Sequence, residues 1–478
     1  MNRIAISRRA MLKGFASGVL GVCTLPALST LLARRAQAEE GRPHYFVFAY
    51  FSGGWDQLLL FDPRDGTQAR FRAQQAYATN GSGIDVAYER LTDSVTKGLL
   101  AANPSGVVKP SGSNLTFGAA VPTSLLDHAQ DLSVVRGINM ETLTHEVGRR
   151  YFITGQFPRG LQAAGSALPT AVAGQMADGA ALPHLTMGVE SYNASFPSYA
   201  SGVQALQPSD VSRALRRLGD PLPTAADEAV ARYEAEADGC ETQELDGDGL
   251  ASIFRSSRLK QRSIIAAGLS SRFNFTFDTA QQTKEIKDLF KAFAIARAAD
   301  LFGPVGQAAL AAQVITTGVS RAVSLLLGNN LDHHDSEWTR EHAPKLRAGL
   351  DALARLISYL KNSPHSDGGS YWDYTTVVAF SEFSRSPLVN GRGGRDHHLA
   401  SSCLLAGAGI RGNVVVGGTS DQGMLVESVN PMTGALDAGG IAVRPADVHA
   451  TVLAAMGLSD AHLAGQSPRK LTALLRGT

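Results

Sequence analysis

The chain has 478 residues, 44% of them hydrophobic and 18% charged, with 44 Lys and Arg against 43 Asp and Glu. That composition supports a sizeable core and excludes a disordered chain, while three cysteines exclude a disulfide scaffold and any cysteine-rich zinc or iron–sulfur site. Residues 1–38 hold six basic residues and no acid, so the remainder carries 38 basic against 43 acidic groups, a balance that argues against nucleic acid as a partner.

The first 38 residues read as an export address. Ser7-Arg8-Arg9-Ala10-Met11-Leu12-Lys13 precedes an apolar run over 14–33, and Ala36-Gln37-Ala38 is a small-x-small cleavage site. The order resembles a twin-arginine signal, which implies the twin-arginine translocase as a partner and a periplasmic or secreted mature chain, 39–478. Two readings compete. A transmembrane anchor over 14–33 is weakened by Pro26 and by several Gly and Ser, and a lipoprotein signal ending at Cys23 fits poorly with Val22 before it. No later segment is apolar enough to span, so no stable membrane span is expected after cleavage. Twin-arginine substrates cross folded, which suits a protein that loads a metal or cofactor first. Cys240 and Cys403 remain; they could bridge in an oxidising compartment, or Cys403 is simply buried in its apolar run, 401–406.

Tyr45–Phe51 (YFVFAYF) predicts a strand buried on both faces, ending at Ser52-Gly53-Gly54-Trp55-Asp56. Further strands are predicted over 132–138, 185–189, 321–327, 375–380, 401–406 and 414–416. Helical patterns fall between them, over 285–299, 306–317, 341–361 and from Pro445 to Met456, where Gly457 stops the last. Alternating strands and helices predict an α/β protein with a mostly parallel central sheet flanked by helices. Residues 63–130 and 191–280 break the alternation and read as insertions in one domain.

Sites in open α/β sheets form at the carboxyl ends of strands. Here those ends deliver Asp56; then Thr142, Thr144 and His145; then Asp332, His333, His334 and Asp335; then Glu382 and Arg385; then Arg395, Asp396, His397 and His398. Carboxylates and neutral imidazoles suit Zn²⁺, Mn²⁺, Mg²⁺ or Ca²⁺, with Zn²⁺ and Mn²⁺ favoured where nitrogen contributes. One or two such ions would clamp an oxyanion. The competing reading is that each Asp-His pair caps a helix or ties a loop. Asp246-Gly247-Asp248-Gly249 reads as a turn rather than a calcium loop, and Gly391-Arg392-Gly393-Gly394-Arg395 as an anion nest or a loop that positions Asp396 and His397. No nucleophile elbow, P-loop or dinucleotide fingerprint is present.

Together these segments resemble the uncharacterised family of twin-arginine-exported proteins with an alkaline phosphatase/sulfatase-like fold. Ser52 to Asp56 matches its S-G-G-x-D, and Arg136 to His145 its strand, arginine and loop histidine. Leu331-Asp332-His333-His334 stands at its W-D-T-H, and Ser381-Glu382-Phe383-Ser384-Arg385-Ser386-Pro387 at its S-E-F-G-R-T-P. Gly393-Gly394-Arg395-Asp396-His397 stands at its G-G-R-D-H, and 447–458 is similar to a helix common in sulfatases. The resemblance implies an alkaline phosphatase-like fold and a divalent metal held by Asp56, Asp332, His334, Glu382 and His397. Thr144, or a metal-activated water, would be the nucleophile. His145 would protonate the leaving group or ligate, and Arg385 would grip the anionic group of a small phosphate or sulfate ester. The superfamily's C/S-x-P-x-R signature is missing after the second strand. That leaves a second reading, an exported binding or assembly protein that kept the fold. A redox role lacks any nucleotide, haem or cluster motif.

Overall fold

Strand β1 (Tyr45–Phe51) is buried along its whole length, as a run without polar alternation requires. Its side chains divide between two cores. Tyr45, Val47, Ala49 and Phe51 enter the first, and Phe46, Phe48 and Tyr50 the second, the period of two that a strand imposes. The protein is described by a computed structural model over residues 44–176, 180–216, 223–226, 228–230, 232–233 and 268–477. The expected export signal, Cys23, Cys240 and the turn at Asp246 to Gly249 lie outside the described residues.

The remaining strands are β2 (Leu132–Asn139), β3 (His184–Met187), β4 (Val203–Gln204), β5 (Ala322–Gly328), β6 (Thr375–Phe380), β7 (Ser384–Val389), β8 (Arg395–His398), β9 (Ala400–Gly407) and β10 (Val414–Val416). Eight of them form one sheet in the order β10-β2-β9-β6-β1-β5-β3-β4. Every neighbour pair is parallel except those of β9, which runs antiparallel to both β2 and β6. The short ribbon β7–β8 stands apart from this sheet. Helices Pro304–Thr316 and Ala343–Asn362 close the first core; His145–Thr154, Leu168–Gln175 and Pro445–Ala455 close the second. The observed class is the expected α/β one, a mostly parallel central sheet flanked by helices. Among the described residues no helix is long and apolar enough to cross a membrane.

Helix Ala343–Asn362 buries Leu346, Leu350, Leu353, Ile357 and Leu360, the three-and-four spacing that marked it in the sequence. The predicted helix over 285–299 is shorter. Thr283 caps its start by accepting from the Ile286 N–H, and it ends at Ala292 because Ala294 turns to a φ of 52°. A separate 3-10 turn, Ala298–Phe302, follows. Cys403 is buried in β9, and burial pushes its thiol up.

Because β1, β2, β5 and β6 run the same way, their carboxyl ends gather at one edge of the sheet. Gly53 and Gly54 make this close packing feasible. Gly53 has a φ of 109°, and a Cβ there would lie 2.5 Å from the Leu331 nitrogen and 2.7 Å from that of Asp332. The loop after β1 can therefore touch the loop after β5 only with glycine at this position.

Candidate metal centre

Asp332 and His334 lie in the loop after β5. His145 opens the helix that follows β2, and Arg385 and His397 face each other across the β7–β8 ribbon. These five residues meet at the gathered strand ends. Asp332 Oδ1 is their hub: His334 Nε2 lies 3.0 Å away, His145 Nε2 3.2 Å, His397 Nε2 3.2 Å and Arg385 Nη2 2.5 Å. His334 Nε2 and His397 Nε2 are only 2.9 Å apart.

The far side of each ring explains why. His145 Nδ1 lies 2.8 Å from Glu382 Oε1, His334 Nδ1 2.7 Å from Asp396 Oδ1, and His397 Nδ1 2.6 Å from the Leu143 carbonyl. These partners accept, so each Nδ1 carries the proton and each Nε2 turns a lone pair inward. Nε2 of His145 is buried, and among the described residues it has no hydrogen-bond partner. Inward lone pairs beside a carboxylate repel one another unless a cation lies among them. Three carboxylates, Asp332, Glu382 and Asp396, outweigh one guanidinium, Arg385. His145, Asp332 and His397 each offer a ligand atom within 4.8 Å of the others. The donor chemistry therefore fits a divalent metal, and imidazole held by an outer acceptor is the usual form of a metal-binding histidine. A set rich in nitrogen suits Zn²⁺ or Mn²⁺ better than Mg²⁺ or Ca²⁺.

The electrostatics keep both central carboxylates ionised. Burial pushes the Asp332 carboxyl up, but Arg385, by hydrogen bond and charge, and His397 outweigh it and hold the carboxyl below its ordinary range. Burial likewise opposes ionisation of Glu382, yet His145 and the Gly53 N–H bring it below the usual value. For His145 burial favours the neutral ring, and Glu382 reverses this and raises its pKa. Burial lowers that of His397.

The structure sorts the residues singled out in the sequence. Asp332, His334 and His397, expected as ligands, converge. Glu382, also expected as a ligand, sits one bond back: its oxygens accept from the Gly53 N–H at 2.7 Å and the Ser381 hydroxyl at 2.9 Å, besides orienting His145. Asp56 does not join the group. Its Oδ2 accepts from Trp338 Nε1 at 3.0 Å and pairs with Arg395 Nε at 3.0 Å, while Oδ1 accepts from the Leu58 N–H at 3.0 Å. The turn through Gly53 and Gly54 carries this carboxylate inward, beneath the site. His145, expected as an acid or a ligand, presents Nε2 to the group. Arg385, expected to grip an anion, is buried and occupied: Nε donates to the Gly54 carbonyl at 3.1 Å, Nη1 to the Arg395 carbonyl at 3.1 Å, and Nη2 to the Gly53 carbonyl and to Asp332. Thr144 is the exposed N-cap of its helix. Its N–H donates to the Thr142 hydroxyl at 3.1 Å, and its own hydroxyl makes no hydrogen bond to the site side chains.

Each His-His pair is split. His334 and His397 face the centre, whereas His333 Nδ1 lies 3.0 Å from Nδ1 of buried His342, and His398 Nε2 lies 3.0 Å from the Gly423 carbonyl. His342 had no signal in the sequence; its Nε2 accepts from the Asp56 N–H at 3.1 Å. Nor did Trp338 or the burial of Arg395. The glycine-rich tip after β7 is no open nest: the N–H groups of Arg392 and Gly394 donate to Asn390 Oδ1, and Asn390 Nδ2 donates to Asp396 at 2.9 Å.

Among solved structures, Ps i-CgsB in complex with k-i-k-neocarrahexaose is 9% identical, with 90% of this chain and 77% of that chain covered and a TM-score of 0.35. BT33494S-sulf, from the metabolism of multiple glycosaminoglycans by bacteroides thetaiotaomicron, is 9% identical, with 89% and 75% covered and a TM-score of 0.33. Likenesses this distant bear on neither substrate nor chemistry. A search of curated proteins gives no match. The family model described as Protein of unknown function (DUF1501) matches residues 45–473, and the chain belongs to that family.

Proposed function

We propose that the protein is an exported, metal-dependent hydrolase of phosphate or sulfate esters. The observation that carries this reading is the convergence of three imidazole Nε2 atoms on one carboxylate oxygen, with every Nδ1 tied to an acceptor. His145, His334, His397 and Asp332 would hold the ion; Glu382, Asp396 and the Leu143 carbonyl orient the rings, and Arg385 fixes Asp332. A bound divalent ion supplies a Lewis acid for the ester's anionic group and lowers the pKa of water. The favoured nucleophile is water, because the exposed Thr144 hydroxyl is linked to none of these groups. The twin-arginine signal supports export to the periplasm or beyond through the twin-arginine translocase.

The same isolation of Thr144 favours the second reading, a non-catalytic exported binding or assembly protein that retains the metal site. Metal-loaded protein assayed on phosphate and sulfate monoesters separates the two. Turnover that is lost in His397→Ala and kept in Thr144→Ala supports a hydrolase with water as nucleophile. Metal without turnover of any ester supports the second reading.

A further inference from the structure

The described residues form an open cavity of about 580 Å³ that no residue of the metal centre lines. Its size falls inside the range of roughly 300–1,000 Å³ common to small-molecule sites. Three elements build the walls: helix Pro208–Leu215, the 3-10 turn Leu269–Phe273 and the 3-10 turn Ala298–Phe302. The Ser212 hydroxyl donates to the Ser270 carbonyl at 3.0 Å and ties the first wall to the second.

The lining has two chemistries. One part is apolar: Phe273 and Phe275 are buried, the Phe275 ring packs on Phe290 with centroids 5.7 Å apart, and Phe302 is left 67% exposed. The other part is cationic. Arg213 and Arg216 line the cavity and no acid does. Asp210, the one acid of helix Pro208–Leu215, spends its Oδ2 on the N–H groups of Leu206 and Gln207 at 2.9 and 3.1 Å. Its Oδ1 reaches Arg213 only at 3.7 Å, and Arg216 has no carboxylate partner among the described residues. An apolar body would be desolvated against the phenylalanine rings, and an anionic head would pair with guanidinium groups that lack a close partner. A neutral apolar molecule would leave that charge unpaired, and a cation would be repelled.

We propose that this cavity binds a small amphiphile, an anion on an apolar alkyl or aryl body, at a site separate from the metal centre. The proposal does not depend on the hydrolase reading. Its test is calorimetry on the metal-loaded, exported protein with decanoate, decanol, decyltrimethylammonium and acetate. Decanoate should bind about tenfold tighter than decanol, the factor that one charge-assisted hydrogen bond supplies. It should also bind roughly tenfold or more tighter than acetate, which lacks the apolar body. Decyltrimethylammonium should bind no better than decanol. Arg213→Gln combined with Arg216→Gln should remove the preference for decanoate over decanol, and Phe302→Ser should weaken decanoate and decanol alike. Decanoate binding should persist in His397→Ala, which separates the cavity from a carboxylate held by the metal. Equal binding of the three decyl compounds overturns the proposal, as does no binding of decanoate. Binding that is lost in His397→Ala and kept in the double arginine variant overturns it too. So does sedimentation with phosphatidylglycerol vesicles without binding of free decanoate, which would mark a lipid surface instead.

Discussion

At the scale of single residues, the centre depends on which way each polar group points. Glu382 and Asp396 touch no metal position directly, yet they decide which nitrogen of His145 and His334 is free. Glu382→Gln and Asp396→Asn should therefore weaken metal binding by about 10- to 100-fold, measured by competition with a chromogenic chelator. Asp56 gives the opposite expectation. Its carboxylate neutralises buried Arg395, so Asp56→Ala should cost about 3–5 kcal/mol in unfolding. Asp56→Asn should lower the Tm and still leave a folded protein with full metal content. Loss of the metal in folded Asp56→Asn would return Asp56 to the ligand set. The sequence showed that aspartates and histidines crowd the strand ends. It could not show which neighbour of each His-His pair turns inward, because that choice is made by Asp396, Leu143, His342 and Gly423, brought together only by the fold.

At the scale of elements, the strands were legible wherever an apolar run needed burial on both faces. β1 and β6 keep the boundaries expected of them, and β5 is displaced by one residue. The end of the helix over 284–292 was not legible, since Ala294 is a good helix former forced into a left-handed conformation by packing. Neither strand of the short ribbon β7–β8 is among those the sequence predicts. The ribbon carries few apolar residues in alternation, and its function is to swing Arg385 and His397 together. The turn after β1 offers a direct test of element packing. Gly53→Ala meets backbone at 2.5 Å and a positive φ, so it should cost roughly 1–3 kcal/mol and reduce metal affinity by shifting Asp332. Gly98→Ala, in helix Ser94–Ala102 with nothing within 4 Å, should instead stabilise by roughly 0.5–1 kcal/mol. Equal effects of the two on Tm would remove the packing argument.

At the scale of the whole molecule, two histidines outside the centre set an acid limit. His184 and His449 are buried neutral, each pushed down to about 3 by burial. His449 Nε2 donates to the Phe152 carbonyl at 2.6 Å and ties Pro445–Ala455 to His145–Thr154. The unfolded chain takes up protons at these positions below about pH 6.5 and the folded chain does not. Stability is therefore complete above that pH and falls as the pH drops toward 3, by about 1.4 kcal/mol per unit for each histidine. Denaturation at pH 7.5 and 5.5 should show the slope, and His449→Gln should shrink it; a flat profile would contradict the neutral-histidine account. Export is testable at the same scale. Replacing Arg8 and Arg9 with lysine should leave the protein in the cytoplasm on cell fractionation, whereas a general secretory signal would tolerate the change.

The measurement that bears most directly on the central claim is elemental analysis of the protein purified after its own export. We expect about one equivalent of a divalent metal, zinc or manganese before magnesium or calcium. It should be lost in Asp332→Ala and His397→Ala and retained in Thr144→Ala. A folded wild-type protein that holds no metal, and takes up none on dialysis against zinc or manganese, would contradict the metal centre and the hydrolase reading with it.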